Sequence, residues 1–271
     1  MESSVSRDDV KGARKAEIAI IGGTGLEDLL EEAERTTVGT PYGFPPLISI
    51  GEVAGKKIAF LPRHGIGHVT PPHKVNYRAN IYALHKIGVE RIIATNAVGA
   101  INMNFKPGDF VVPHDIIDFT KGRHSTFYDE SPVTHIDFSE PYCPEIRKLL
   151  IEKTREAGVQ VWDRAVYVCT EGPRYETPAE IRMFRKLGCD VVGMTGVPEV
   201  VLARELEICY ASLCFVSNMA AGIGDRLTSR EVVEMSRKVI PKIKQILIEV
   251  IRYLPRERSC SCAEALREAR I

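Results

Sequence analysis

Arg63 and His64 stand side by side in "LPRHGIGHVTPPHKVNYRAN", after a strand-like run and before a glycine. A guanidinium offers a planar fork of donors and an imidazole adds another, so the pair suits an oxyanion. Phosphate is the oxyanion that also fits "IGGTGL", where backbone N–H groups and the Thr24 hydroxyl would line a nest at a strand-to-helix turn. The same loop fails as a dinucleotide fingerprint, because Asp28 takes the place of the third glycine. "TNAVGAI" brings Asn96, Ala97 and Gly99 to a second strand end, small enough for a ligand to approach the backbone, and "GMTGVPE" sets Thr195 at a third. Each stretch alone is ordinary turn chemistry; together they can hold one anion. His64, His68 and His73 lie in a proline-broken loop with no carboxylate between them, and HExxH is absent, so no metal is expected.

Two further loops are chemically dense. "EGPRYETPAE" packs acids, a base, prolines and Tyr175 between a strand and a helix, and "VSNMAAG" sets Asn218, Met219 and Ala220 at the end of another strand. Asparagine both donates and accepts, so Asn218 can read a polar edge; the bland alternative is that it caps its own loop.

Elements that would position these residues follow from periodicity. "AEIAIIGGTG" reads as a buried first strand, "LISIGEVAGKKIAFLPRHG" as a hairpin turning at "AGK", and "RIIATNAVGAI" as a second buried strand ending in a small-residue turn. "YRANIYALHKIGV" is helical with Gly88 as its stop, and "CPEIRKLLIEKTREAG" is helical with Pro144 in its first turn and Gly158 as its stop. "AVYVCT", "CDVVGMT" and "ICYASLCFVSN" are strands alternating with the helices "PAEIRMFRKLG" and "VPEVVLARELE"; "DFVVPHDIIDFT" is β-rich around Pro113, and a long helix containing Pro241 closes the fold. Such alternation predicts a single α/β domain with a central mixed, largely parallel sheet flanked by helices, its ligand outside the carboxyl ends of the strands.

Lys+Arg and Asp+Glu balance at 36 each, so no global field draws nucleic acid or an anionic membrane, and a small-molecule substrate is favoured. No apolar run reaches the roughly 18 residues of a membrane helix, and the polar start lacks a signal-peptide core, so a cytoplasmic protein is expected. The chain divides into a flexible leader (1–16), a main domain (17–254) and a tail (255–271). Of seven cysteines, Cys143, Cys169, Cys189, Cys209 and Cys214 lie scattered in or near apolar segments and read as buried thiols. Cys260 and Cys262 form a CxC in the tail. Reduced thiols in a mobile tail, a disulfide to a partner cysteine and a local CxC bridge all remain open, and zinc would need ligands from two subunits.

"IIGGTGL", "PRHG", "YRANIYAL", "PGDFVVPHDIIDFT", "EGPRYET" and "GMTGVPEV", in this order over nearly the whole chain, resemble the trimeric purine nucleoside phosphorylase and methylthioadenosine phosphorylase family, on the side of its archaeal 6-oxopurine members. The resemblance implies cleavage of a purine nucleoside by phosphate, a co-substrate, with no cofactor. It implies that Thr24, Arg63, His64, Asn96, Ala97 and Thr195 line the phosphate site, with His64 and Asn218 closest to the chemistry. Met194 would lie under the sugar, Tyr175 against the purine, and His135 beside the sugar of a neighbouring subunit in a homotrimer or a dimer of trimers. Methylthioadenosine phosphorylases carry Asp-x-Asp where this chain has Asn218-Met219-Ala220. That exchange suits a 6-oxopurine, with Glu176 bracing Asn218 or reaching the base edge. S-methyl-5′-thioinosine is the expected substrate, with inosine and guanosine next. The alternatives are a methylthioadenosine phosphorylase and a nucleoside-binding protein without turnover.

Overall fold

The computed structural model describes residues 16–23, 25–224 and 227–271; Thr24 and the 1–16 leader lie outside it, apart from Ala16, which is buried. Among the described residues eleven strands follow in chain order: β1 (Ile18–Gly22), β2 (Glu31–Thr36), β3 (Ile48–Val53), β4 (Lys56–Pro62), β5 (Arg91–Ala100), β6 (Phe110–Val111), β7 (Asp115–Phe119), β8 (Val161–Trp162), β9 (Val166–Thr170), β10 (Val191–Gly193) and β11 (Cys209–Met219). The helices are α1 (Tyr77–Lys86), α2 (Pro144–Glu156), α3 (Pro178–Lys186), α4 (Gly196–Glu205) and α5 (Ser229–Tyr253). Gly88 and Gly158, both at positive φ, follow α1 and α2 as expected of helix stops. Thr177 and Thr228 each make a capping box that starts α3 and α5.

All strands join one sheet, in the order β2-β3-β4-β1-β5-β10-β9-β7, with β11, β6 and β8 attached through the other edge of β5. Pairs β1–β4, β1–β5, β5–β11, β9–β10, β7–β9 and β6–β8 are parallel, so the sheet is mixed and mostly parallel. Alternate residues of β1 serve opposite faces, as the two-residue period of a strand requires. Ala19 and Ile21 pack with Ile81 and Leu84 of α1 and Val200 and Leu202 of α4. Ile18 and Ile20 pack with Ile146 and Leu150 of α2 and Ile243 and Ile246 of α5.

Two elements differ from the sequence reading. β2 is a strand of mostly charged residues, tolerated because it pairs only with β3 at the sheet margin. "TNAVGA" is strand and not turn: β11 pairs with β5 along its full length, from Cys209↔Arg91 to Met219↔Ala100, with a bulge between Val216 and Asn218.

The opening that positions the site comes from the other edge of β5. β1 pairs with it only as far as Ala94, and β10 takes over, antiparallel, at Gly99. Thr95 to Val98 therefore lie between two departing strands. Ala97 is exposed there although its neighbours in β5 are buried. A gap in the ladder of a central strand is a natural place for a ligand.

Candidate active site

The end of β4 delivers Arg63 to this gap. Its backbone N–H donates to Gly22 O at the end of β1 (3.1 Å), and its Nη1 donates to Thr95 O (3.0 Å). The rest of the guanidinium is gripped by Glu199 of α4: Nε donates to Oε1 at 2.5 Å and Nη2 to Oε2 at 2.9 Å. Arg63 is 3% exposed and Glu199 fully buried. Burial pulls the arginine pKa down, and the Glu199 carboxylate more than reverses this, leaving it above its ordinary value. Three of five guanidinium N–H bonds are thus committed, and two remain to turn towards an anion. Glu199, whose signal was an acid inside an otherwise apolar helical run, was missed by sequence reasoning. It also accepts from Tyr210 Oη at 2.9 Å.

His64 corrects an expectation. Its Nδ1 lies 2.8 Å from Thr70 O, and a carbonyl only accepts, so Nδ1 carries the proton and Nε2 a lone pair. Burial, helped by the Arg63 charge, lowers its pKa to about 4. Neutral at physiological pH, the ring offers an acceptor at Nε2 and not the second donor foreseen. Its stacking partner is His68, with centroids 4.2 Å apart.

Asn96 and Thr195 meet across the gap. Asn96 Nδ2 donates to Thr195 Oγ1 at 2.7 Å, and Ser212 Oγ of β11 donates to Asn96 Oδ1 at 2.5 Å. The amide is oriented from behind, and because Thr195 Oγ1 accepts, its own proton points elsewhere and can be given to an oxyanion. Thr195 also starts α4 without using its side chain as a cap. Arg63, His64, Asn96, Ala97 and Thr195 are therefore brought together. The glycine loop departs from expectation around them. A three-residue 3-10 turn, Glu27–Leu29, follows it in place of an α-helix, and the Glu27 carboxylate accepts from Gly25 N–H at 2.5 Å. The chain's own carboxylate holds a donor that the nest reading reserved for a bound anion.

The two chemically dense loops touch as well. Gly222, at φ 77°, passes so close to Pro178 that an added Cβ would lie 2.7 Å from Pro178 Cβ, joining "VSNMAAG" to "EGPRYETPAE". Gly172, at φ 66°, gives Met194 the same kind of clearance: a Cβ there would lie 2.6 Å from Met194 Sδ. Arg123, also unforeseen, ties the loop down. It donates from Nη2 to Glu171 O (2.8 Å) and from Nη1 to Val197 O (2.5 Å) and Tyr77 Oη (3.2 Å). Tyr175 is 36% exposed.

Glu176 faces inward and accepts from Thr170 Oγ1 at 2.6 Å; burial raises its pKa despite that bond. It braces Thr170 and not Asn218. Asn218 Nδ2 donates to Met219 O at 2.9 Å, which fixes the amide orientation because that carbonyl only accepts, and Oδ1 accepts from Ser217 Oγ at 2.6 Å. One N–H and one lone pair of the amide are left for a ligand.

Asn218 is paired with Gly99, three residues beyond Asn96 on β5. Asn96 and Asn218 thus sit roughly 10 Å apart on adjacent strands, at about 3.3 Å per residue. Asn218 and Met219 border an open cavity of about 430 Å³ that Pro107 and, from α5, Met235 and Lys238 also line. Ala220 does not reach it: at 2% exposure it is packed with Ile101, Val168 and Val192. A larger hollow of about 580 Å³ lies beneath the C-terminal residues, lined by Glu207, Leu266 and Arg267 among others, and contains none of these groups. His135 is exposed near the same end, its N–H donating to Ala269 O at 2.7 Å.

The CxC tail is not loose. Cys262 is 2% exposed, and Cys260 Sγ lies 3.7 Å from Cys143 Sγ and 3.4 Å from Cys209 Sγ. Two of the cysteines read as scattered thus meet the two of the tail. Among the described residues no helix is long and apolar enough to cross a membrane.

Comparison with known proteins agrees with this architecture. The chain is 55% identical over 261 residues to the 6-oxopurine nucleoside phosphorylase of Pyrococcus furiosus, covering 93% of this chain and 98% of that one. It is 53% identical over 257 residues to the probable S-methyl-5′-thioinosine phosphorylase of Methanopyrus kandleri, covering 94% and 99%. A solved methylthioadenosine phosphorylase from an antarctic soil metagenomic library superposes with a TM-score of 0.91 at 37% identity, over 95% of this chain and 93% of that one. The model of the Phosphorylase superfamily matches residues 17–252, nearly the whole chain, so this chain is a member of that superfamily.

Proposed function

We propose that the protein is a pentosyltransferase that cleaves 6-oxopurine nucleosides with inorganic phosphate, S-methyl-5′-thioinosine first and inosine and guanosine after it, yielding free base and a sugar 1-phosphate in purine salvage. The observation that carries this reading is Asn218. With Nδ2 fixed by Met219 O, its spare N–H can donate to O6 or N7 and its spare lone pair can accept from N1–H. Adenine, with an acceptor at N1 and an amino group at C6, leaves that pairing unmatched, and an unmatched buried edge discriminates strongly. The printed names of the Pyrococcus and Methanopyrus relatives support the same class.

In the reaction, phosphate attacks C1′ as the glycosidic bond lengthens, the sugar becomes oxocarbenium-like and negative charge grows on the purine. Arg63 and the Thr195 hydroxyl would hold the nucleophile in line with Thr24 and the Ala97 backbone, while neutral His64 accepts from a protonated phosphate oxygen. Asn218 Nδ2–H would meet the charge developing on the base. Met194 would floor the sugar and Tyr175 wall the purine. No cofactor takes part. We read the assembly as a cytoplasmic homotrimer or a dimer of trimers, with His135 lent to the neighbouring subunit's sugar site.

A second reading, adenine release from methylthioadenosine, is favoured by the likeness to solved methylthioadenosine phosphorylases. Base release from methylthioinosine, inosine and methylthioadenosine, each with and without phosphate, separates the two. Phosphate-dependent hypoxanthine release with little adenine is the expected result. Dominant adenine release would overturn the role given to Asn218, and nucleoside binding without phosphate-dependent product would overturn the assignment as an enzyme.

A further inference from the structure

Four sulfurs from distant parts of the chain converge away from the nucleoside site. Cys143 stands at the start of α2, Cys209 opens β11, and Cys260 and Cys262 flank Ser261 where the tail makes the short turn Ser261–Glu264. All four Sγ atoms lie within 4.8 Å of one another. The separations from Cys260, 3.7 Å to Cys143 and 3.4 Å to Cys209, are near the ~3.8 Å edge of a tetrahedron with metal–sulfur bonds of about 2.3 Å. Cys260 sits nearly evenly between its two neighbours, as a shared centre requires.

Two of the four sulfurs belong to the body of the fold. Cys143 N–H donates to Tyr210 O at 2.8 Å, fixing the start of α2 against β11. The tail is laid across this junction by polar contacts. Lys56 Nζ donates to Leu254 O (2.5 Å), Arg91 Nη2 to Arg256 O (3.2 Å), Arg258 Nη1 to Glu207 O (2.8 Å) and Ser259 Oγ to Glu145 Oε1 (3.0 Å). Four thiolates around a divalent ion carry two net negative charges. Arg204 Nη1, on a side chain 7% exposed, lies 3.6 Å from Cys262 Sγ to offset them.

We propose that Cys143, Cys209, Cys260 and Cys262 form a tetrathiolate site for a structural Zn²⁺ that fastens the C-terminal tail to the α2–β11 junction. With every coordination position filled by the protein, such a site is closed to water and serves stability and not catalysis. Zinc therefore needs no ligand from a second subunit, and the expectation of a chain without metal gives way at this one place.

The test is metal content by mass spectrometry of the full-length protein purified without chelator or reductant, together with thiol titration after unfolding without reductant in EDTA. One zinc per chain and all seven cysteines titrating as thiols are expected. Chelator-stripped protein given Co²⁺ should show the ligand-field and charge-transfer bands of a tetrahedral thiolate site, and Cys262→Ser should lose them together with the zinc. That variant should melt lower while keeping its nucleoside turnover at low temperature. Metal-free protein with only three titratable thiols would show that the four sulfurs form two disulfides, and would overturn the proposal. So would seven free thiols with neither zinc uptake nor cobalt bands on reconstitution. These readouts do not depend on nucleoside turnover, so failure here and failure of the enzymatic reading are distinguishable.

Discussion

Replacing Arg63 with alanine removes both a proposed phosphate ligand and the counter-ion of Glu199, and the two losses can be separated. Glu199 is fully buried, and without Arg63 it keeps the Tyr210 hydroxyl but no cation. Stranding one partner of a buried ion pair costs about 3–5 kcal/mol. At roughly 2–4 °C per kcal/mol for a domain approaching this size, the melting temperature should fall by about 6–20 °C. Glu199→Ala should do the same from the other side, whereas the double variant Arg63→Met/Glu199→Leu removes both charges and should recover most of the loss. Phosphate binding should behave differently. Hydrogen bonds to a charged group contribute about 1.5–3 kcal/mol, or roughly 10- to 150-fold in affinity, and that loss should persist in the double variant. The assay is thermal unfolding of all three variants beside phosphate saturation at fixed nucleoside. A double variant with an unchanged phosphate KM would reduce Arg63 to a structural residue. Single variants melting within about 2 °C of the parent would refute the buried-pair argument itself.

His64 makes stability depend on pH in one direction. Its folded pKa is lowered to about 4 from 6.5, so protons bind the unfolded chain first; the stability present above pH 6.5 is lost as pH falls towards 4, by about 3 kcal/mol in all. His64→Asn should flatten urea unfolding between pH 7 and 4.5, and an unchanged slope would assign the acid sensitivity elsewhere. Asn218→Asp replaces the spare N–H with an acceptor and should raise the kcat/KM ratio of methylthioadenosine to methylthioinosine by at least about tenfold; no movement would place base selection outside this residue. Adding Ala220→Asp, natural from sequence alone, should instead destabilise the protein, because the carboxylate would be buried among apolar side chains. Gly222→Ala forces a Cβ against Pro178 at a positive φ and should cost about 1–2 kcal/mol while raising the nucleoside KM and sparing the phosphate KM. A variant as stable as the parent would mean that the two loops are not held together there.

Much of the candidate site was legible because its parts are local. Arg63 and His64 are neighbours, Asn96 and Ala97 share one strand, and Thr195 heads a helix, so residue type and adjacent periodicity point to them directly. The element pattern was equally readable, since the intervals of two and of 3.6 that mark strands and helices are properties of short windows. What those windows do not contain is pairing over distance. Glu199 is 136 positions from Arg63, and nothing local to either names the other. The opening at Thr95–Val98 exists because the pairing of β1 with β5 ends at Ala94 and β10 joins at Gly99, a matter of strand order and direction. His64 read as a donor until the Thr70 carbonyl set its tautomer.

The amino-acid sequence by itself determined the alternating elements and the superfamily, and it singled out the amide proposed to read the base. Tertiary structure alone decided that an arginine would be held by a buried glutamate, that Ala220 would lie in the core, and that four cysteines from three regions would meet. The physical reason is the same in each case: helix and strand periods are written in consecutive residues, but burial, protonation and ligand sets depend on which surfaces the sheet brings into contact.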